Sequence, residues 1–458
     1  MQWRSRPVSG QMVDSLIEIE AYLPSGRCET VTASQSGTIA DLTKAAQLSL
    51  RRPFLRLAAP DGRLLDPTKS LWLSGLQDRE SIAAVAQQPK VAATTYAFAL
   101  WSGGVGRVAT WGDPNRGGDS SRVQDQLRNV HQICATGFAF AAILAEGSVV
   151  TWGDPYRGGD SSRVQDQLQS VKQICATWSA FAAILADGSV VTWGNRKEGG
   201  DSSRVQDQLR NVQQISGTHY AFAAILADGT VVTWGNPIWG GDSSRVQDQL
   251  RNVQQMCGTQ SAFAAILADG SVVTWGDPKE GGDSSRVQDQ LKNVQQICGT
   301  QSAFAAILAD GSIVTWGASL GGGDSSQAHD QLKKVQQICA TGFTFAAILA
   351  DGSVVTWGDP NRGGDSSRVQ DQLRNVHQIC ATAFAFAAIL ADGSVVTWGD
   401  PNRGGDSSRV QDQLRNVQQI SATGSAFAAI LADGSVVTWG HEDFGADSSR
   451  VQDLFMDI

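Results

Sequence analysis

Apolar and polar positions in this chain follow one short pattern many times over. The stretch from Val171 to Val212 reads VKQICATWSAFAAILADGSVVTWGNRKEGGDSSRVQDQLRNV and shows it once. Gln173–Thr177 is a short segment with an apolar centre, and Ala180–Ala186 is an apolar run that reads as buried and is broken by Asp-Gly before it could continue as a helix. Asp187-Gly188 signals a hairpin of type I′, in which both central residues need positive φ. Ser189–Trp193 follows with Val190 and Val191, good strand formers. The pattern predicts three short antiparallel strands. After the Gly199-Gly200 turn, Asp201 is expected to cap a short helix over Ser202–Leu209, with Val205 and Leu209 on one side.

The repeat length comes from Thr-Trp-Gly. It places Trp111, Trp152, Trp193, Trp234, Trp275, Trp316, Trp357, Trp398 and Trp439 at intervals of 41 residues. Cys134, Cys175, Cys257, Cys298, Cys339 and Cys380 keep the same period, with Ser216 and Ser421 in the missing turns. Residues 90–458 make nine such units behind an 89-residue leader. One three-stranded unit cannot bury both faces of its sheet, so neighbours must stack, as in propellers and solenoids. The expected fold is mainly β: nine propeller-type repeats, each with three short strands and a helical return, after a small α+β domain.

The leader has its own pattern. Residues 1–14 read as a flexible tail and 15–89 as a compact domain. Leu16–Leu23 and Cys28–Ala33 alternate like strands, and Thr38 can cap a helix to about Leu50. Leu55, Leu57, the turn Pro60-Asp61-Gly62-Arg63 and Ile82–Val85 complete a ββαββ plan.

Composition narrows the function. The chain has 458 residues, of which 41% are hydrophobic, enough to build a core and exclude general disorder. Its 45 acidic and 36 basic residues give a net charge of −9. The leader holds 10 basic and 9 acidic residues, so the acidity lies in the repeats. An acidic propeller favours a protein partner with a basic surface over direct contact with nucleic acid. No apolar stretch approaches the roughly 20 residues that span a bilayer, and the N-terminus does not read as a signal peptide. The seven cysteines, an odd number without a CxxC pair, do not form a secretory framework. A soluble cytoplasmic or nuclear protein without membrane contact is expected.

The core AFAAILADGSVVTWG, with VQQICAT before it, resembles the regulator of chromosome condensation repeat across about 80% of the chain. That resemblance implies a β-propeller. Nine units exceed the usual range of about 4–8 blades. They could form a wide ring, leave surplus units outside a smaller one, or wind as an open superhelix. The leader, especially Phe54–Val85, resembles ubiquitin, and because it runs on into Gln87-Gln88-Pro89-Lys90 it reads as an integral domain. The two resemblances imply a non-catalytic adaptor with protein partners, among them a small GTPase or a ubiquitin-pathway component. Guanine-nucleotide exchange and kinship with the non-catalytic part of HECT-type ubiquitin ligases are the alternatives they imply.

No catalytic constellation stands out. One cysteine per unit without a neighbouring histidine does not make a metal site, and no cofactor is expected. Gly112–Ser120 (GDPNRGGDS) has the glycines of a phosphate loop but lacks its lysine. Its opening, Asp113-Pro114-Asn115, resembles a calcium loop, but Gln124 stands where the closing acid would be. The periodic tryptophans read as packing between units. What varies is more informative. One variable window follows the first strand and another follows Trp-Gly, and strand parity puts both on the same face. Phe138, Tyr156, Trp178, His219, Tyr220, Ile238, Trp239, Phe343, Phe384 and Phe444 are the expected binding residues there, with exposed Trp178, Tyr220 and Trp239 as anchors.

Overall fold

The computed structural model describes residues 15–102 and 107–449, which form two compact units, 15–88 and 89–449. The tail expected at residues 1–14 lies outside the described residues.

The first unit is a mixed four-stranded sheet with one helix. Strands β1 (Leu16–Tyr22) and β2 (Cys28–Ser34) form an antiparallel hairpin. Helix α1 (Ile39–Leu50) follows, then β3 (Leu55–Ala58), the single-turn helix α2 (Leu71–Ser74) and β4 (Glu80–Ala86). The strand order is β2-β1-β4-β3 with β1 and β4 parallel, a β-grasp arrangement. Helix α1 begins where Thr38 accepts from the Asp41 backbone N–H and Asp41 accepts from that of Thr38, a reciprocal capping box. Its apolar stripe, Ile39, Leu42, Ala46 and Leu50, closes the core against Ile17, Ile19, Val31, Leu57 and Ile82.

The second unit contains nine three-stranded sheets. In blade 3 the strands are Val171–Ala176, Ala180–Leu185 and Val190–Gly194. Phe181 faces Trp193 across the second and third strands, and their rings stack with centroids 5.1 Å apart. The same Phe–Trp pair recurs in all nine blades. The alternate side chains of the second strand, Ala180 and Ala182, point to the other face. That flat alanine face receives the Phe222 and Trp234 rings of blade 4, while Phe181 and Trp193 pack on Ala139 and Ala141 of blade 2. The second strands are buried on both faces, which explains their unbroken apolar run.

Two elements differ from the sequence expectation. The Asp-Gly hairpin is not type I′, because Gly188 has φ +79° while Asp187 does not enter the positive-φ region. Gly188 N–H donates to Leu185 O, Leu185 N–H donates to Ser189 O, and Asp187 Oδ1 accepts from Ser189 N–H. This is a three-residue turn with glycine at its left-handed position. The expected helix over Ser202–Leu209 is a series of turns ending in a 3-10 turn, Gln206–Gln208. Asp201 takes the Ser203 N–H, Ser202 Oγ donates to Gln206 Oε1, and Gln206 Nε2 donates to Val190 O on the third strand. These short side chains compete with helical bonding, while the glutamine satisfies the free edge of the sheet. Leu209, 1% exposed, anchors the return.

The ring closes. Each repeat tryptophan donates its indole N–H to a glycine carbonyl of the preceding blade: Trp152 to Gly117 at 3.0 Å, Trp439 to Gly404 at 3.1 Å. Trp111 of blade 1 makes that bond at 3.0 Å to Gly445 of blade 9. A second ring of bonds surrounds the central axis. There the backbone N–H of Gly137, Trp178, His219, Gln260, Gln301, Gly342 and Ala383 each donates to the carbonyl one blade further on. Gly424 N–H donates to Thr95 O at 2.8 Å, and Thr95 N–H to Gly137 O at 3.1 Å, which completes the circle. The second unit is a closed nine-bladed propeller.

Candidate functional site

Both variable windows lie on one face of the propeller. In blade 2 the buried threonine that follows the first strand ties them together: Thr136 Oγ1 accepts from the Phe138 and Ala139 N–H groups and donates to Arg157 O in the second window. The Asp-Gly turns lie at the opposite ends of the strands. A depression of about 440 Å³ opens at the centre of the variable face, lined by the threonines and by Trp178, His219, Gln260 and Gln301.

Seven rings on this face form one chain of contacts. Phe444 stacks on Tyr96 at 4.9 Å across the seam between blades 9 and 1, and Tyr96 lies 5.7 Å from Phe138. Phe138 meets Trp178 edge-on at 5.3 Å, and Trp178 stacks on His219 at 4.7 Å. His219 meets the edge of Tyr220 at 6.0 Å, and Tyr220 lies 4.3 Å from Trp239. Burial lowers the His219 pKa to about 4, so at neutral pH it is an uncharged member of the arc.

The expected binding residues divide into three groups. Phe138, Trp178, His219, Tyr220, Trp239 and Phe444 join this arc. Phe343 and Phe384 stand apart on blades 7 and 8, 6.2 Å from each other. Tyr156, 85% exposed, and Ile238, 70% exposed, project from the outer turns. Trp178, Tyr220 and Trp239 are half-buried by their neighbours rather than freely exposed, and Phe138 is buried. Tyr96 was not expected, because its window precedes that of Phe138 by 42 residues and so falls out of step with the period.

Charge on this face also follows the period. One position of the second window reads Arg116, Arg157, Glu198, Trp239, Glu280, Gly321, Arg362, Arg403 and Phe444 around the ring. Where arginine occupies it, the same blade offers an aromatic ring: Arg116 over Tyr96 at 4.0 Å, Arg157 over Phe138 at 3.8 Å, Arg362 over Phe343 at 3.8 Å and Arg403 over Phe384 at 4.1 Å. Each of these arginines also pairs with the aspartate three residues before it. Blades 3 and 5 carry glutamates instead.

The repeated cysteines belong to the scaffold. Cys134 Sγ lies 3.2 Å from Ile174 O on the next blade's first strand. Burial pushes the thiols up, to about 11 at Cys134 and about 12 at Cys175, Cys339 and Cys380, which removes the thiolate at neutral pH. Among the described residues no group of three or more histidine, cysteine, aspartate or glutamate side chains could hold a metal, and no helix is long and apolar enough to cross a membrane. In the phosphate-loop-like stretch, Asp113 Oδ1 accepts from Asn115 N–H and holds a 3-10 turn closed.

No protein-family model matches the chain, and no curated protein matches it. Solved structures do show likeness. Prp20p from Saccharomyces cerevisiae, described with its binding to Gsp1p and histones, is 14% identical over 80% of this chain and 97% of its own, with a TM-score of 0.42. The CRINKLY ectodomain of the Arabidopsis thaliana receptor kinase ACR4 is 17% identical over 59% of this chain and 98% of its own, with a TM-score of 0.36. The UBL domain of Plasmodium falciparum Dsk2 is 25% identical over 16% of this chain and 97% of its own, with a TM-score of 0.15.

Proposed function

We propose that this chain is a non-catalytic protein-binding scaffold of the regulator of chromosome condensation type, which engages partners through the variable face of its propeller. The observation that carries this reading is the aromatic arc from Phe444 through Tyr96, Phe138, Trp178, His219 and Tyr220 to Trp239. It runs over five consecutive blades, and it is built from the positions at which otherwise near-identical units differ. Aromatic side chains with one half-buried side and one accessible side are the usual anchors of protein interfaces. The acidity of the repeats favours a basic partner surface. The β-grasp unit, with its parallel β1–β4 pair, is read as a ubiquitin-like adaptor module.

Affinity capture from cell extract with the full chain tests the face. The double variant Trp178→Ala plus Trp239→Ala is expected to lose most partners retained by the wild type, with its unfolding midpoint measured alongside. An unchanged partner set refutes the reading. Faster nucleotide release from small GTPases in the presence of the protein would overturn its non-catalytic part.

A further inference from the structure

The far end of the aromatic arc carries two acidic side chains with an unmet bonding need. Glu198 of blade 3 and Glu280 of blade 5 occupy the position that holds arginine in blades 1, 2, 7 and 8, and Trp239 occupies it between them. Their backbones are fixed: Glu198 O accepts from Thr177 Oγ1 at 2.9 Å, and Glu280 O from Thr259 Oγ1 at 3.1 Å. In both residues Oε2 is shielded from solvent and has no hydrogen-bond partner. Withdrawing a carboxylate oxygen from water without a donor is costly, and native structures rarely leave one so. Blades 3 and 5 carry buried Ser179 and Ser261 where the arginine blades carry a ring. Tyr220 lies on blade 4 between them, and burial and then the negative charges of Glu198 and Glu280 raise its phenol above the ordinary value. Nearby cations do not neutralise them. Arg196 is held by Asp201 at 2.7 Å, and exposed Lys197 and Lys279 form no ion pair with either glutamate.

We infer that blades 3–5 form a receptor for a cationic side chain of a partner protein, a lysine ammonium or an arginine guanidinium seated against Trp239 and Tyr220 between Glu198 and Glu280. Indole and phenol faces attract cations, tryptophan most strongly, and the flanking carboxylates add negative charge beside them. In the arginine blades this demand is met from within, by an arginine over a ring. Blades 3–5 have the rings and the negative charge without the cation. The inference rests on the reading of this face as a binding surface and names the chemistry one sector of it selects.

Fluorescence anisotropy of the full chain with a labelled deca-lysine peptide, and deca-glutamate as counter-probe, tests it. Glu198→Gln plus Glu280→Gln is expected to weaken deca-lysine binding roughly tenfold or more, a loss on the order of one tenfold step in Kd. Asp248→Asn plus Asp289→Asn removes the same charge from exposed positions and is expected to change Kd by less than about twofold. Equal weakening by both pairs would mean that general acidity alone attracts the peptide, and would overturn the inference. So would absence of deca-lysine binding to the wild type. If Trp178→Ala plus Trp239→Ala still strips partners in that case, the binding face stands and only the cationic receptor fails. The glutamine pair keeps the shape of both half-buried side chains and is expected to unfold close to the wild-type temperature. Should the pair not fold, the single substitutions Glu198→Gln and Glu280→Gln make the same comparison.

Discussion

Replacing Trp316 with alanine is expected to cost about 3–5 kcal/mol of stability, the range for truncating a large buried aromatic side chain. The indole is 5% exposed and stacks on Phe304 of its own blade at 5.2 Å. It packs with Ala262 and Ala264 of the preceding blade and donates to Gly281 O at 3.0 Å. Truncation therefore opens a cavity between two blades and strips a buried carbonyl of its donor at the same time. Because blades touch only their neighbours, the loss should appear as a lower urea midpoint, with the slope showing whether adjacent blades open separately. A loss below about 1 kcal/mol would contradict the role given to the repeat tryptophans.

The second large effect is expected at Gly281, the glycine whose carbonyl Trp316 binds. Its φ is +98°, and a Cβ there would lie 2.5 Å from Phe304 Cδ2. Gly281→Ala thus combines a left-handed backbone penalty with overpacking against a fully buried ring, about 2–5 kcal/mol together. Gly26 is the internal comparison: its φ is +89° but no atom lies within 4 Å of the added carbon, so only the backbone cost of roughly 1–2 kcal/mol applies. Chemical denaturation of both variants separates the two contributions. Equal losses at the two sites would show that the Phe304 contact is not tight.

These two residues also mark what sequence reasoning reaches. The Trp-Gly period and the apolar second strand were readable because each blade must bury both faces, and this leaves a strong, evenly spaced signal. The Ser202–Leu209 segment misled because Val205 and Leu209 have helical spacing, while the competing bonds of Asp201, Ser202 and Gln206 depend on the neighbouring sheet. Closure had no signature at all. Trp111 binding Gly445 uses the same residue types as Trp152 binding Gly117, so a seam and an ordinary blade junction read alike. The variable face was legible from strand parity. Its internal order was not, because the alternation of Arg116 or Arg157 with Glu198 and Glu280 gains meaning only once each side chain is seen against its ring or without one.

Closure is the central claim, since without it Phe444 and Tyr96 do not meet and the aromatic arc is cut at its seam. Thr95 and Gly424 flank that seam. Gly424 N–H donates to Thr95 O at 2.8 Å, and a Cβ on Gly424 would come within 2.7 Å of Thr95 Cγ2, close enough for a disulfide between the two positions. In a Cys28→Ser background, which removes an exposed thiol, the double substitution Thr95→Cys and Gly424→Cys should form an intramolecular disulfide under mild oxidation. Mass spectrometry should find the two peptides joined within a chain of unchanged monomer mass. Free thiols at positions 95 and 424 in the oxidised monomer, or disulfides found only between chains, would contradict the closed nine-bladed ring.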